Sequence, residues 1–127
     1  MSLSQTSRSD GAGTPLIAAD RVEGTSVYNT KGESLGHIED VMIHKVSGRV
    51  AYAIMSFGGF LGIGANFHPI PWSMLIYDEG KGGYVVPLDR DALERAPYFN
   101  EAQLRNEDDR SWRETVHTYY SAPPYWG

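Results

Sequence analysis

From Thr25 to Val86 apolar residues recur at strand spacing between turn-forming clusters. Order is expected to begin at Pro15-Leu16-Ile17, and residues 18–24 leave room for one helical turn. Thr25–Tyr28 reads as a first strand, followed by the polar turn Asn29–Glu33 with Gly32. Ser34–His44 reads as a longer strand with apolar Leu35, Ile38, Val41 and Ile43. Its alternation slips between Leu35 and Ile38, and Gly36 sits at the slip, so a bulge or bend is expected there. After the turn Lys45–Gly48, Arg49–Phe57 is apolar on both parities, the pattern of a central strand covered on both faces. Phe67–Pro71 contains Pro69 and Pro71, which cannot donate to a ladder and place this strand at an edge or a bulge. Trp72–Met74 has the length of one turn. Leu75–Tyr77 and Tyr84–Val86 then flank the hairpin loop Asp78–Gly83.

Five or six short strands with tight turns and no βαβ spacing predict a mainly β chain, a small antiparallel barrel. Val27, Ile38, Val41, Ile43, Val50, Ile54 and Leu75 are the expected interior, and Trp72 the expected plug at one end. After Pro87 the pattern becomes helical. Asp89 is a candidate N-cap for a helix Arg90–Arg95 that stops before Pro97. Ser111 with Glu114 fits a capping box, and Trp112, Val116, Tyr119 and Tyr120 then share one helical face. Two prolines keep Ala122–Gly127 out of a helix. The division is an N-terminal arm 1–14, expected to be disordered, a barrel domain 15–97, and a C-terminal helical and aromatic tail 98–127.

Composition removes several chemistries. With no cysteine there is no disulfide, thiolate nucleophile or Cys-ligated metal, which fits a cytoplasmic, reducing location. A net charge of -5 disfavours direct nucleic-acid binding, which depends on neutralising phosphates. No apolar run is long enough for a transmembrane segment, and the start lacks the apolar centre of a signal peptide.

The candidate chemistry is thin. His37, His44, His68 and His117 show no His-x-x-x-His pair on a predicted helix, so they read as scattered surface rather than a metal site. Glu39 and Asp40 are adjacent carboxylates, but neighbours in a strand point to opposite faces and do not share a proton. The glycine-rich stretch Gly58–Gly64 lacks both the Gly-Lys-Ser/Thr ending and the following helix of a phosphate loop. Its Phe60, Leu61 and Ile63 instead read as an exposed apolar tip for another chain. In the tail, Trp112, Tyr119, Tyr120, Tyr125 and Trp126 either cover the barrel's own outer face or contact a second chain. No catalytic residue, metal ligand or cofactor is expected.

Three ordered blocks carry a resemblance: Gly24-Thr25-Ser26-Val27, then Lys31–Ile43, then Ser47-Gly48-Arg49-Val50. It continues through Phe57–Gly64 and His68–Leu75 and closes near Leu93–Pro97. The series resembles the PRC-barrel domain, found in the H subunit of purple bacterial photosynthetic reaction centres, in a ribosome-maturation factor and in small standalone bacterial proteins. The whole chain is similar to the standalone members. The resemblance implies a PRC-type β-barrel and a non-catalytic docking module, expected here as a homodimer with a further protein partner. Two alternatives come from the relatives: an adaptor for a ribosomal or other RNA–protein particle, and a small-molecule or quinone-type pocket.

Overall fold

The computed structural model describes residues 15–57, 67–106 and 111–123. The arm 1–14, the loop tip residues Phe60, Leu61 and Ile63, and the tail residues Tyr125 and Trp126 lie outside the described residues.

One helical turn, α1 (Ala19–Val22), precedes six strands. These are β1 (Ser26–Tyr28), β2 (Ser34–Ile43), β3 (Val50–Phe57), β4 (His68–Pro71), β5 (Ile76–Asp78) and β6 (Gly83–Val85). A 3₁₀ turn, Trp72–Met74, joins β4 to β5. Three helices come after the sheet: α2 (Arg90–Glu94), α3 (Glu101–Arg105) and α4 (Ser111–Tyr120). The strands form one sheet in the order β4-β3-β2-β1-β6-β5.

Mainly β character and six short strands agree with the sequence pattern, but two features of the expected antiparallel barrel do not. The β1–β6 pair is parallel, because β6 returns from the β5–β6 hairpin in the direction of β1. Among the described residues, no ladder joins β4 to β5, so hydrogen bonds do not close the sheet. The chain nevertheless forces it to curl. A flat six-stranded sheet separates its edge strands by about 24 Å. Residues 72–75, between the two edge strands here, reach at most about 18 Å when extended. Three of them are wound into the 3₁₀ turn, which shortens the span further.

Two glycines allow the close approaches that such curling needs. A Cβ at Gly36 would collide with the Ser56 carbonyl of β3, and one at Gly83 would lie 2.6 Å from the Ser26 carbonyl oxygen of β1. Any side chain there pushes neighbouring strands apart. The expected irregularity in β2 is also present. Pairing with β1 skips Leu35, pairing with β3 skips Glu39, and Leu35 and Ile38 both end up buried although three apart.

Strand β3 is covered on both faces, as its pattern predicts. Ala53 and Met55 join Val27, Leu35, Ile38, Ile70, Val86 and Leu93 in an inner core. Tyr52 and Ile54 belong to a second, outer core with Leu104, Trp112 and Val116. Ile54 therefore packs outside rather than in the expected interior. Ile43 departs further: it is 53% exposed, because a register shift between Met42 and Ile43 turns the strand end outward.

The helices are set by their caps. The Asp89 carboxylate accepts from the Ala92 N–H at 2.7 Å and starts α2. Ser111 is the first helical residue of α4, not the residue before it. The capping box lies at α3 instead: the Asn100 side chain accepts from the Gln103 N–H at 2.8 Å, and the Gln103 side chain accepts from the Asn100 N–H at 2.9 Å.

Candidate interaction site

The outer core leaves a cleft of about 530 Å³ where the β2–β3 hairpin meets α3 and α4. Met42, Ala51, Tyr52, Leu104 and Trp112 supply apolar wall, and Lys45, Arg105 and Arg113 stand around it. A smaller hollow of about 160 Å³ shares Met42, Leu104 and Arg105 and adds Glu39, Asp40 and Glu101. Arg105 links the two. Its Nε donates to Glu101 at 3.1 Å, and its guanidinium lies 3.4 Å from an Asp40 oxygen. Both pairs are solvent-exposed, so they orient Arg105 more than they stabilise the fold.

Trp112 is 4% exposed and packs against Tyr52, with ring centroids 5.0 Å apart. The Tyr52 hydroxyl lies 2.6 Å from His117 Nε2, and His117 Nδ1 faces the Ala122 carbonyl at 3.1 Å. A carbonyl only accepts, so Nδ1 donates to Ala122 and Nε2 accepts from Tyr52. This buried bond pins α4 to the outer face of β3. The Tyr119 hydroxyl donates to the Ala92 carbonyl at 2.6 Å and ties α4 to α2, with the side of its ring left outside. Tyr120 packs against both cores, and among the described residues its buried hydroxyl has no hydrogen-bond partner. Burial, and then Tyr119 beside it, push that hydroxyl's pKa up.

Two of the four histidines depart from the surface reading, since His68 and His117 are buried, while His37 and His44 are partly exposed. His68 lies between the rings of Phe57 and Tyr98, and among the described residues its buried Nδ1 has no hydrogen-bond partner. Burial pushes its pKa down, partly opposed by the Pro97 carbonyl. His37 and Ser56 are cross-strand partners, and Glu39 joins them. The Ser56 hydroxyl donates to Glu39 Oε2 at 2.7 Å, and His37 Nε2 lies 2.8 Å from the same oxygen. Here the carboxylate, not the imidazole, holds the hydroxyl. A Ser–His–acid triad puts the hydroxyl on the imidazole; this arrangement differs from it and links β2 to β3. Asp40 accepts from the Val41 N–H at 2.8 Å and lines the same hollow as Glu39, against the expected opposite faces, because the bulge that skips Glu39 interrupts the alternation. Among the described residues no three His, Cys, Asp or Glu are grouped to hold a metal ion.

A different surface lies across the sheet. Among the described residues strand β5 pairs only with β6, and its other edge carries no strand. Ile76 is 69% and Tyr77 42% exposed along that edge. Tyr77 stands edge-on to Tyr84 at 5.1 Å, and Tyr84 to Trp72 at 5.3 Å, a row of rings running from the inner core to the sheet edge. Burial, and then the neighbouring Tyr77, push the Tyr84 hydroxyl's pKa up. The strand assignment of Ile76 and Tyr77 was readable from the pattern. Their edge position depends on the strand order and was not.

The family model of the PRC-barrel domain matches residues 15–93. The chain belongs to the PRC-barrel family. The match ends inside α2, so the inner core falls largely within the PRC-barrel segment, while α3 and α4 lie beyond it. Among solved structures, the chain is similar to a Pseudomonas aeruginosa protein described as a 16S ribosomal RNA processing protein, RimM, at 18% identity and a TM-score of 0.39. That similarity covers 63% of this chain and 48% of the other, so the chain corresponds to about half of that protein. No curated protein matches the sequence. Among the described residues, no helix is long and apolar enough to cross a membrane.

Proposed function

We propose that this PRC-barrel chain is a non-catalytic binding and assembly module that works as a homodimer. In this reading residues 15–97 form the barrel domain, and the tail 98–127 covers one side of it. Family membership supports the non-catalytic part, since PRC-barrel proteins are generally docking modules. The observation that carries the assembly part is the β5 edge, unpaired among the described residues, with Ile76 and Tyr77 on the surface. Ser56 and His37 both contact Glu39 Oε2, which is not the order of a Ser–His–acid triad. Sedimentation equilibrium over a range of concentrations tests the homodimer. A monomer–dimer equilibrium is expected, and a single monomeric species throughout overturns it.

The cleft favours a second reading, a small-molecule pocket. Its volume falls in the range of ligand sites, and it combines an apolar wall with nearby cations. A thermal-shift screen of apolar and amphipathic compounds, quinones included, is its test. A ligand for the cleft raises the melting temperature of the chain and does so less for Trp112→Phe. Absence of any shift across the panel removes this reading.

A further inference from the structure

The two edges of the sheet are treated differently by the sequence. Edge strand β4 carries Pro69 and Pro71, which have no N–H to offer, and Phe67 beside it exchanges backbone hydrogen bonds with Phe99 at 2.9 Å in both directions. Edge strand β5, Ile76-Tyr77-Asp78, has neither proline nor lysine and, among the described residues, no covering segment paired to it. Natural sheets guard exposed edges with prolines, charges, covering segments or shortness; β5 keeps only its three-residue length and Asp78, and an edge with few guards recruits another strand. We propose that the β5 edges of two copies of this chain pair antiparallel across a two-fold axis at Tyr77. This rests on the homodimer reading and specifies its contact.

Three features select a second copy as the occupant. An edge strand turns alternate N–H and C=O groups outward, and an identical strand in antiparallel orientation presents the complementary set. With the axis at Tyr77, that residue meets Tyr77 of the second copy, and the ring row Trp72–Tyr84–Tyr77 continues across the junction. In the same register Ile76 opposes Asp78, so no carboxylate faces another. An axis at Asp78 would set two carboxylates opposite each other, which is unfavourable. Asp78 is also turned into its own hairpin, where its Oδ1 accepts from the Lys81 N–H at 3.1 Å. A three-residue edge buries little surface, so the pair belongs to the weak, concentration-dependent class.

The absence of cysteine makes a direct test clean. Antiparallel partners lie about 4.5–5.5 Å apart at Cα, within the range a disulfide spans. Under mild oxidation, Tyr77→Cys is expected to form a covalent dimer well ahead of Val46→Cys, although Val46 is 92% exposed and meets random collisions more readily. In the cysteine-free chain, Ile76→Lys is expected to shift the sedimenting species to monomer. Equal cross-linking at 77 and 46, or a dimer unmoved by Ile76→Lys, overturns the edge pairing. If the unmodified chain still sediments as a dimer in that case, the homodimer reading stands without this contact. A monomer at every concentration, with no preferential link at 77, overturns both.

Discussion

The edges of the sheet differ in what the chain has done with them. On the β4 side two prolines leave an outside strand no N–H at their positions, and Phe67 pairs with Phe99. Next to β4, the outer face of β3 is covered by Trp112, Val116 and Leu104. On the β5 side no described strand pairs with the edge, and Ile76 and Tyr77 are exposed. The first side is stabilised within one chain, and the second is left for another. The difference also separates the PRC-barrel segment from the C-terminal helices, because α3 and α4, beyond the family match, build the covered side.

If the contrast holds, substitutions on the covered side cost stability and those on the open edge do not. Trp112→Ala empties the centre of the outer core and is expected to cost about 3–5 kcal/mol in chemical denaturation. A loss under ~1 kcal/mol would mean that α4 is not stably docked. Tyr52→Phe removes the buried hydrogen bond between the Tyr52 hydroxyl and His117 Nε2, an expected cost of about 0.5–1.5 kcal/mol. His68 supplies a pH-dependent effect. Its folded pKa lies below the ordinary 6.5, so the unfolded chain binds the proton first. Its stabilising contribution is complete above pH 6.5 and is lost as pH falls through and below that value. Denaturation at stepwise lower pH should show His68→Leu losing less stability than the unsubstituted chain over this window. On the open edge, Ile76→Lys should change monomer stability by no more than about 0.5 kcal/mol, measured at a concentration where dimer is negligible.

Much of the covered side is legible in the sequence alone. Apolar residues on both parities of Arg49–Phe57 require cover on two faces, and the two cores supply it. Pro69 and Pro71 mark an edge, and Asp89 marks a helix start. Other features depend on which distant segments meet. The parallel β1–β6 pair joins strands more than fifty residues apart, and no local spacing encodes that choice. His68 and His117 look like ordinary polar residues until β4 and α4 are packed. Helix α3 is different, because a signal for it exists: Asn100 followed by Gln103 at capping-box spacing. Leu104 is its single buried residue, too few to produce a helical apolar period, so the hydrophobic pattern passes over it. The Glu39 tie to His37 and Ser56 needs the β2–β3 register, which the bulge in β2 shifts.

Amide hydrogen exchange on the intact chain, monitored against concentration, tests the contrast most directly. The outward-facing amides of Ile76–Asp78 should exchange fast when dilute and gain protection as concentration rises. The Phe67 and Phe99 amides, already bonded to each other's carbonyls, should hold constant protection. Concentration-independent exchange at both edges would contradict the account.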